Sequence, residues 1–367
     1  MKVLILGNPE SSHTVKWVKA LAGKGVQVYL LSLNRVADNL FADHPNIEVQ
    51  SLGLSNRFVM HKNPRCVKVV YLGILPKIKK VIKTFQPDIL HSHYISSYGI
   101  LGALTGFHPY VISVWGSDIY RFPHRSWVNK LLIKHTLKQA DAILSTSNNM
   151  VSQIKRFTTK PVKITPFGID TESFRPVSVK TGENPFVIGT VKHLKKIYGI
   201  DLLIKAFKRI MDWNPGLNVR LLIVGEGRER KNLENLANEL HISYNVDFAG
   251  NVEPNEVPYY INRMDVFVAL SVCKESFGVS VLEAGACKKP VVVSNVSGFT
   301  EIVKDNYTGI VVPLNDVTKA AENIHRLIHD SRLRNQLGKN ARNHVEQHYS
   351  FLKSINSMLR IYNQMLE

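Results

Sequence analysis

The feature that most constrains this chain is its alternation of short apolar runs with amphipathic stretches long enough to be helices. KVLILG, VQVYLLS, DILHSH, VISVWG and AILSTS read as buried strands, and HTVKWVKALAGKG and IKKVIKTFQ as helices among them. Strands separated by such helices predict a parallel sheet built from right-handed crossovers. The pattern breaks near PFGID (166–170) and passes through VKTGENP (179–185), whose polar, Gly and Pro content reads as a linker. It then restarts as FVIGTV, VRLLIVGEG, VDFAG, VFVALS, PVVVS and GIVVPL, with helices between, and is mostly helical from about residue 317. The chain has 367 residues, whereas single cores stop growing near about 250–300 residues. The expected fold class is therefore α/β, two Rossmann-like domains whose parallel sheets face an interdomain cleft. Residues 1–178 are expected to form the first, 179–349 the second, and 350–367 a terminal helix that packs back on the first.

No apolar run approaches the ~20 residues of a spanning helix; VVYLGIL (69–75) and GILGALTGF (99–107) are the longest. The opening MKVLILGNP has too short an apolar core for a signal peptide. Cys66, Cys273 and Cys287 form neither an even set nor a CxxC pair, which suits a reducing cytosol. The net charge of +18 is uneven: residues 1–178 hold 23 Lys+Arg against 9 Asp+Glu, and the remainder 24 against 20. That asymmetry suggests an anionic partner for the first half: nucleic acid, a bilayer surface or a phosphorylated acceptor.

In open parallel sheets ligands bind beyond the C-terminal ends of the strands. VFVALSVCKESFGVSVLE (266–283) places Glu275 in such a loop, Phe277-Gly278 at the turn and Val279 at a helix start. A glycine there lets a ligand approach the backbone, and the first free N–H groups of the helix suit a phosphate. Glu283 falls in the second turn among apolar or small neighbours, where a carboxylate needs hydroxyl or amide donors. A sugar or ribose diol supplies two. Spacing alone leaves an ordinary helical glutamate and a loop glutamate as the other reading.

ESFGVSVLE followed by AGACKKPVVVSNVSGFTEIV resembles the Glu-x7-Glu signature of retaining glycosyltransferases of family 4. HTVKWVKALAGKGVQV, PDILHSH, WGSDI, PFGIDTESFRP and LLIVGEGRERKNLENLA are similar, in order, to further motifs of that family, so the resemblance spans nearly the whole chain. It implies a GT-B fold, with a nucleotide-sugar donor (UDP- or GDP-sugar) held mainly by the second domain and the acceptor by the first. It assigns Glu283 to the donor ribose, Glu275 to donor-sugar hydroxyls, and the amides of Phe277, Gly278 and Val279 to the sugar and diphosphate. Gly189 and Gly225 belong to its donor-binding set.

Where the family usually carries an Arg and, six residues later, a Lys, this chain has Lys192 and Tyr198, so Lys196 or Lys195 is left to supply a second cation. Where many members have a histidine near the donor sugar, it has Trp115, which can stack on a ring but cannot accept a proton. Asp118 is a candidate for acceptor or sugar hydroxyls, or a cap for the following turn. His93, read as facing the site with His91 on the other side of the strand, is a further catalytic candidate or a core histidine. The first loop, GNPESSH, puts Ser12 and His13 beside the acceptor. The implied mechanism is retention by front-face departure of the diphosphate, with no cofactor. No metal is expected either, since no Asp-x-Asp or His/Cys cluster is evident.

GILPKIKKVIKTF (73–85) puts Ile74, Ile78, Val81, Ile82 and Phe85 on one helical stripe, with Lys77, Lys79, Lys80 and Lys83 around the rest and Pro76 in the first turn. With Arg57, Lys62, Arg65 and Lys68 it predicts a cationic patch for the anionic inner-membrane surface, and so a cytoplasmic, peripheral enzyme acting on a glycan or lipid-linked acceptor. Another GT-B enzyme, such as a sugar-nucleotide epimerase or phosphorylase, is an alternative. Nucleic acid is not expected as a partner, because no recognised motif accompanies the charge. GEG (225–227) is a lone Gly-x-Gly without the rest of a dinucleotide fingerprint.

Overall fold

A computed structural model describes residues 1–36, 40–53, 64–179, 185–273 and 275–367, with the side chains of 64–72 outside the description. The chain divides into two compact units, Met1–Phe167 with Ser354–Glu367, and Gly168–Lys353. The division falls ahead of the 178/179 boundary expected above because the residues after Phe167 bond into the second unit. Ile169 N–H donates to Tyr349 O, Val177 N–H to Asn262 Oδ1, and the Arg342 guanidinium to the carbonyls of Thr171 and Phe174. Of the expected linker, 180–184 lie outside the described residues.

Unit 1 holds seven strands: β1 (Lys2–Leu6), β2 (Gln27–Ser32), β3 (Ile47–Ser51), β4 (Ile89–His93), β5 (Tyr110–Val114), β6 (Ala142–Ser145) and β7 (Val162–Ile164). All pair in parallel in the order β3-β2-β1-β4-β5-β6-β7. β1, β4, β5 and β6 are apolar runs covered on both faces, which is why they were legible. β3 and β7 end the sheet and were not read: β3 is largely exposed, and β7 spans only three residues.

Unit 2 holds β8 (Phe186–Val191), β9 (Val219–Val224), β10 (Val246–Gly250), β11 (Val266–Ala269), β12 (Val291–Ser294) and β13 (Ile310–Val312), ordered β10-β9-β8-β11-β12-β13 and parallel throughout. These are the six runs read from the sequence. Each sheet reverses its strand order once, between β1 and β4 and between β8 and β11. A crevice at the C-terminal ends of those strands is where such sheets take ligands.

The helix Pro64–Phe85 corrects one expectation: Pro76 lies inside it, not in its first turn. Pro64 opens the helix, a position where the missing N–H costs nothing, whereas Pro76 forfeits one internal hydrogen bond. Ile74, Ile78 and Val81 are buried, and Lys77, Lys79, Lys80 and Lys83 are exposed, as periodicity requires. Arg57 and Lys62 lie outside the described residues, as do the side chains of Arg65, Cys66 and Lys68.

The last helix, Phe351–Leu366, contributes its residues from Ser354 onward to unit 1. Its Tyr362, fully buried, shares a 2.5 Å hydrogen bond with His91 Nδ1, and His91 Nε2 meets Ser113 Oγ at 2.8 Å. Burial pushes the His91 imidazole down to about 3, so it stays neutral when folded and gains protons only on unfolding. Stability from this group is complete above the unfolded pKa of about 6.5 and is lost as pH falls below it. The thermal midpoint of the protein is expected to fall between pH 7 and pH 5, and His91→Gln to flatten that slope in scanning calorimetry. An unchanged slope in the variant would show that His91 does not carry the acid sensitivity.

Candidate active site

The candidate site of unit 2 is built at its strand-order reversal. Lys192 directly follows β8, its N–H bonded to Val224 O at 2.9 Å, and Glu275 lies in the loop after β11. The Lys192 ammonium and Glu275 Oε1 are 2.9 Å apart, with side chains only 15% and 13% exposed. Ser271 Oγ donates to the same oxygen at 2.6 Å. The ammonium also stands over the Tyr198 ring, 4.5 Å from its centroid, and 5.8 Å from that of Phe299. Tyr198 thus stands beside the cation that the family motif would have doubled, giving it an aromatic wall.

Two glycines make this approach possible. Gly225 has φ +137°, and a methyl there would lie 2.0 Å from Lys192 O. A methyl on Gly298 would lie 2.5 Å from Glu275 O, so the loop after β12 presses directly on the glutamate's backbone. The loops after β8 and β11 are joined by Val272 N–H to Ile197 O at 3.0 Å. Lys274 lies outside the described residues.

The turn that follows is fixed by Phe277, 2% exposed and packed edge-on against Tyr349, and by Gly278 at φ +94°. A side chain on Gly278 would meet Phe299 at 2.8 Å. Val279 then opens the helix Val279–Ala286, and Glu283, half-buried, occupies its second turn between buried Leu282 and Ala284. Ser280, in the first turn, carries a buried hydroxyl with no hydrogen-bond partner. Glu275, Lys192, Phe277, Gly278, Val279 and Glu283 therefore occupy one loop-and-helix region with Gly225 beneath Lys192. Two members of the expected donor set stand apart. Gly189 sits inside β8, where a methyl would meet the Met264 side chain at 2.5 Å, so its part is sheet packing. Lys196 is exposed on the turn Lys196–Tyr198.

Unit 1 gathers aromatic groups at its own reversal. His13 stacks on Phe167 at 3.7 Å with 11° between planes, and Trp115, half-buried, lies 4.7 Å from His93, 5.4 Å from Phe167 and 6.1 Å from His13. Thr14 Oγ1 lies 3.4 Å from His93 Nδ1, and Ser12, one residue before His13, is exposed. Burial lowers both imidazoles, His13 to about 4 with help from Lys16, and His93 well below its ordinary value with help from His91 and His13. Both are neutral near pH 7.

One expectation for this unit is corrected, and of the two readings of Asp118 the hydrogen bonds fit the cap of its turn. His91 and His93 share a face, their rings 4.7 Å apart, because residues two apart on a strand point the same way, and both are buried. Asp118 is 1% exposed and its carboxylate accepts from the backbone N–H groups of Ile95 (3.0 Å), Gly116 (2.7 Å) and Trp115 (3.2 Å). Burial raises it to about 6 against the pull of those bonds. It joins the loops after β4 and β5 and so positions Trp115. Sequence reasoning missed Ser271, Ser280 and Phe299 as neighbours of the site; Ser271, two residues beyond β11, was open to the strand-end rule already applied to Glu275.

Among the described residues no group of three or more His, Cys, Asp or Glu is placed to hold a metal ion, and no helix is long and apolar enough to cross a membrane.

Comparison with known proteins agrees with both units. Residues 171–344 match the family model "Glycosyl transferases group 1", and residues 2–147 match "Glycosyl transferase 4-like". An uncharacterized glycosyltransferase of Methanocaldococcus jannaschii is 25% identical over 362 residues, 96% of this chain and 93% of the relative. A capsular polysaccharide biosynthesis glycosyltransferase of Staphylococcus aureus is 31% identical over 206 residues, 56% of this chain and 53% of the relative. The solved structure of Anabaena HepE in complex with UDP has a TM-score of 0.79 at 19% identity, covering 99% of this chain and 100% of that one. The two parallel α/β units give the chain the GT-B fold, and a glycosyltransferase model matches a stretch of each half.

Proposed function

We propose that this protein is a retaining, metal-independent glycosyltransferase that moves a sugar from a UDP- or GDP-sugar to a hydroxyl of a glycan acceptor, in cell-surface polysaccharide or glycoconjugate synthesis. The observation that carries this reading is the junction of Lys192, Glu275, the Phe277–Gly278 turn and Glu283 at the C-terminal ends of β8 and β11. The name of the capsular relative and the UDP complex of the solved relative support the class of product and donor.

In this reading the amides at the start of the helix Val279–Ala286 and the Lys192 ammonium face the diphosphate, where negative charge grows as the glycosidic bond to the donor breaks. Glu283 accepts from the ribose hydroxyls and Glu275 from hydroxyls of the sugar. The acceptor oxygen attacks the face that the diphosphate leaves, and a phosphate oxygen takes its proton, so the protein chiefly positions groups and stabilises charge. The acceptor is lipid-linked, and the enzyme works at the anionic inner face of the membrane, a reading supported by exposed Lys77, Lys79, Lys80 and Lys83 on the helix Pro64–Phe85.

A panel of UDP-, GDP- and ADP-sugars assayed for thermal shift and slow donor hydrolysis tests the donor class. One nucleotide sugar is expected to stabilise the protein, and Glu283→Ala to abolish that shift; a shift retained in full would refute its role at the ribose. Lys192→Ala should lower kcat by about 100-fold, the scale of losing one charge-stabilising donor. Tyr198→Leu should raise the donor KM by about two- to fivefold, the worth of a cation–π contact at a partly exposed site. Equal kinetics in the Tyr198 variant would mean that the ring does not orient Lys192. Consumption of the donor with no acceptor and release of an epimeric nucleotide sugar would favour the epimerase alternative.

A further inference from the structure

Three helices of unit 1 connect β3 to β4, β4 to β5 and β5 to β6: Pro64–Phe85, Tyr98–Thr105 and Trp127–Gln139. Successive strands step one way across the sheet, so right-handed crossovers keep all three on one face. The middle helix packs against both of the others.

The third helix has two apolar sides. One is its own packing stripe, with Ile133 and Leu137 fully buried beside Asn129 and Thr136. The other points to solvent: Trp127 is 73% exposed and Leu131, one turn on, is 54% exposed. Around them Lys130, Lys134 and Lys138 are also exposed. The start of this helix is held firmly, with Ser126 Oγ accepting from Asn129 N–H at 3.2 Å and Asn129 Nδ2 donating to Phe122 O at 3.1 Å. Leu104, on the middle helix, adds a third exposed apolar side chain to the face at 39%. None of the three helices contains an aspartate or glutamate. A face adapted only to water mixes both signs and avoids exposed tryptophan.

We propose that this face is an interfacial membrane-binding surface, in which Trp127 and Leu131 enter the headgroup–acyl boundary of an anionic leaflet while Lys130, Lys134, Lys77 and Lys80 meet lipid phosphates. The inference rests on the peripheral reading given above and supplies its anchor. Tryptophan favours that boundary because its ring is apolar and its N–H is polar, and lysines are drawn to the same depth by the surface potential. Charge alone would hold the protein loosely and release it in salt; two inserted apolar side chains give the contact depth and fix which face of unit 1 meets the lipid.

The test is flotation of the full chain with vesicles of phosphatidylcholine, with and without phosphatidylglycerol. The protein is expected to float with the anionic vesicles only, and the double variant W127S/L131S to bind them at least about tenfold more weakly. Phosphatidylcholine brominated on its acyl chains, mixed with phosphatidylglycerol, should quench tryptophan emission in the wild type and in Trp213→Phe, and much less in Trp127→Phe. This second readout decides the matter even if the double variant folds poorly. Equal flotation of a folded double variant, or undiminished quenching in Trp127→Phe, overturns the anchor and leaves the peripheral reading standing. A wild-type protein that never floats overturns both. Binding to random duplex DNA with indifference to vesicles would overturn them in favour of a nucleic-acid partner.

Discussion

How closely backbone can approach backbone around Lys192 and Glu275 governs the candidate site of unit 2. The loops after β8, β9, β11 and β12 converge there, and Gly225 and Gly298 are among the positions where a single methyl would strike a carbonyl. Convergence takes the ion pair largely out of water, which strengthens its attraction and raises the cost of leaving either charge alone. The pair is thus a stable resting arrangement for two charges that the proposed reaction needs separately. An incoming diphosphate gives Lys192 a second anion, while sugar hydroxyls give Glu275 new donors. Ser271, already donating to the same Glu275 oxygen, holds that carboxylate in place during the exchange.

The distribution of positive charge narrows what can stabilise a departing phosphate. His13 and His93 are neutral near pH 7 because burial opposes their protonation. They can exchange hydrogen bonds but cannot act as cations. Tyr198 has no charge and works through Lys192, whose ammonium it faces. Lys196 is exposed to solvent, where screening weakens its reach. In the proposed reading Lys192 and the amides at the start of the helix Val279–Ala286 meet the diphosphate, and Lys192 is the cation that the described loops hold against Glu275.

The legible parts of this protein were those whose physics is local. Apolar runs such as VLIL and LLIV are short and end at glycine, which reads as covered strands, so the sheet class and all six strands of unit 2 followed from the alternation of such runs with amphipathic helices. Glu275 and Glu283 stood out as carboxylates in an apolar segment, and the resemblance to a Glu-x7-Glu signature, not the spacing, supplied their expected roles. The rest depends on contacts between residues far apart in sequence. Gly189 and Gly225 look alike in the chain, and only their neighbours, Met264 in one case and Lys192 in the other, separate a packing glycine from a site glycine. Asp118 was open to two readings, a partner for hydroxyls or a cap for its turn, and only the three backbone donors that converge on it show how it is held. Trp127 and Leu131 were hidden within an ordinary helical pattern, since periodicity shows which residues are apolar and not which of two apolar sides is already covered.

The bond between Tyr362 and His91 links the final residues of the chain to the middle of the first sheet. Unit 2 is therefore an insertion in unit 1, fully synthesised before the helix that completes its host. The first unit therefore lacks one covering helix in any chain cut before Ser354, and His91 then has no Tyr362 to bond. Obtaining the first unit by itself thus requires joining residue 167 to residue 354, because a cut at the 167/168 boundary alone leaves the first sheet without the helix that covers His91.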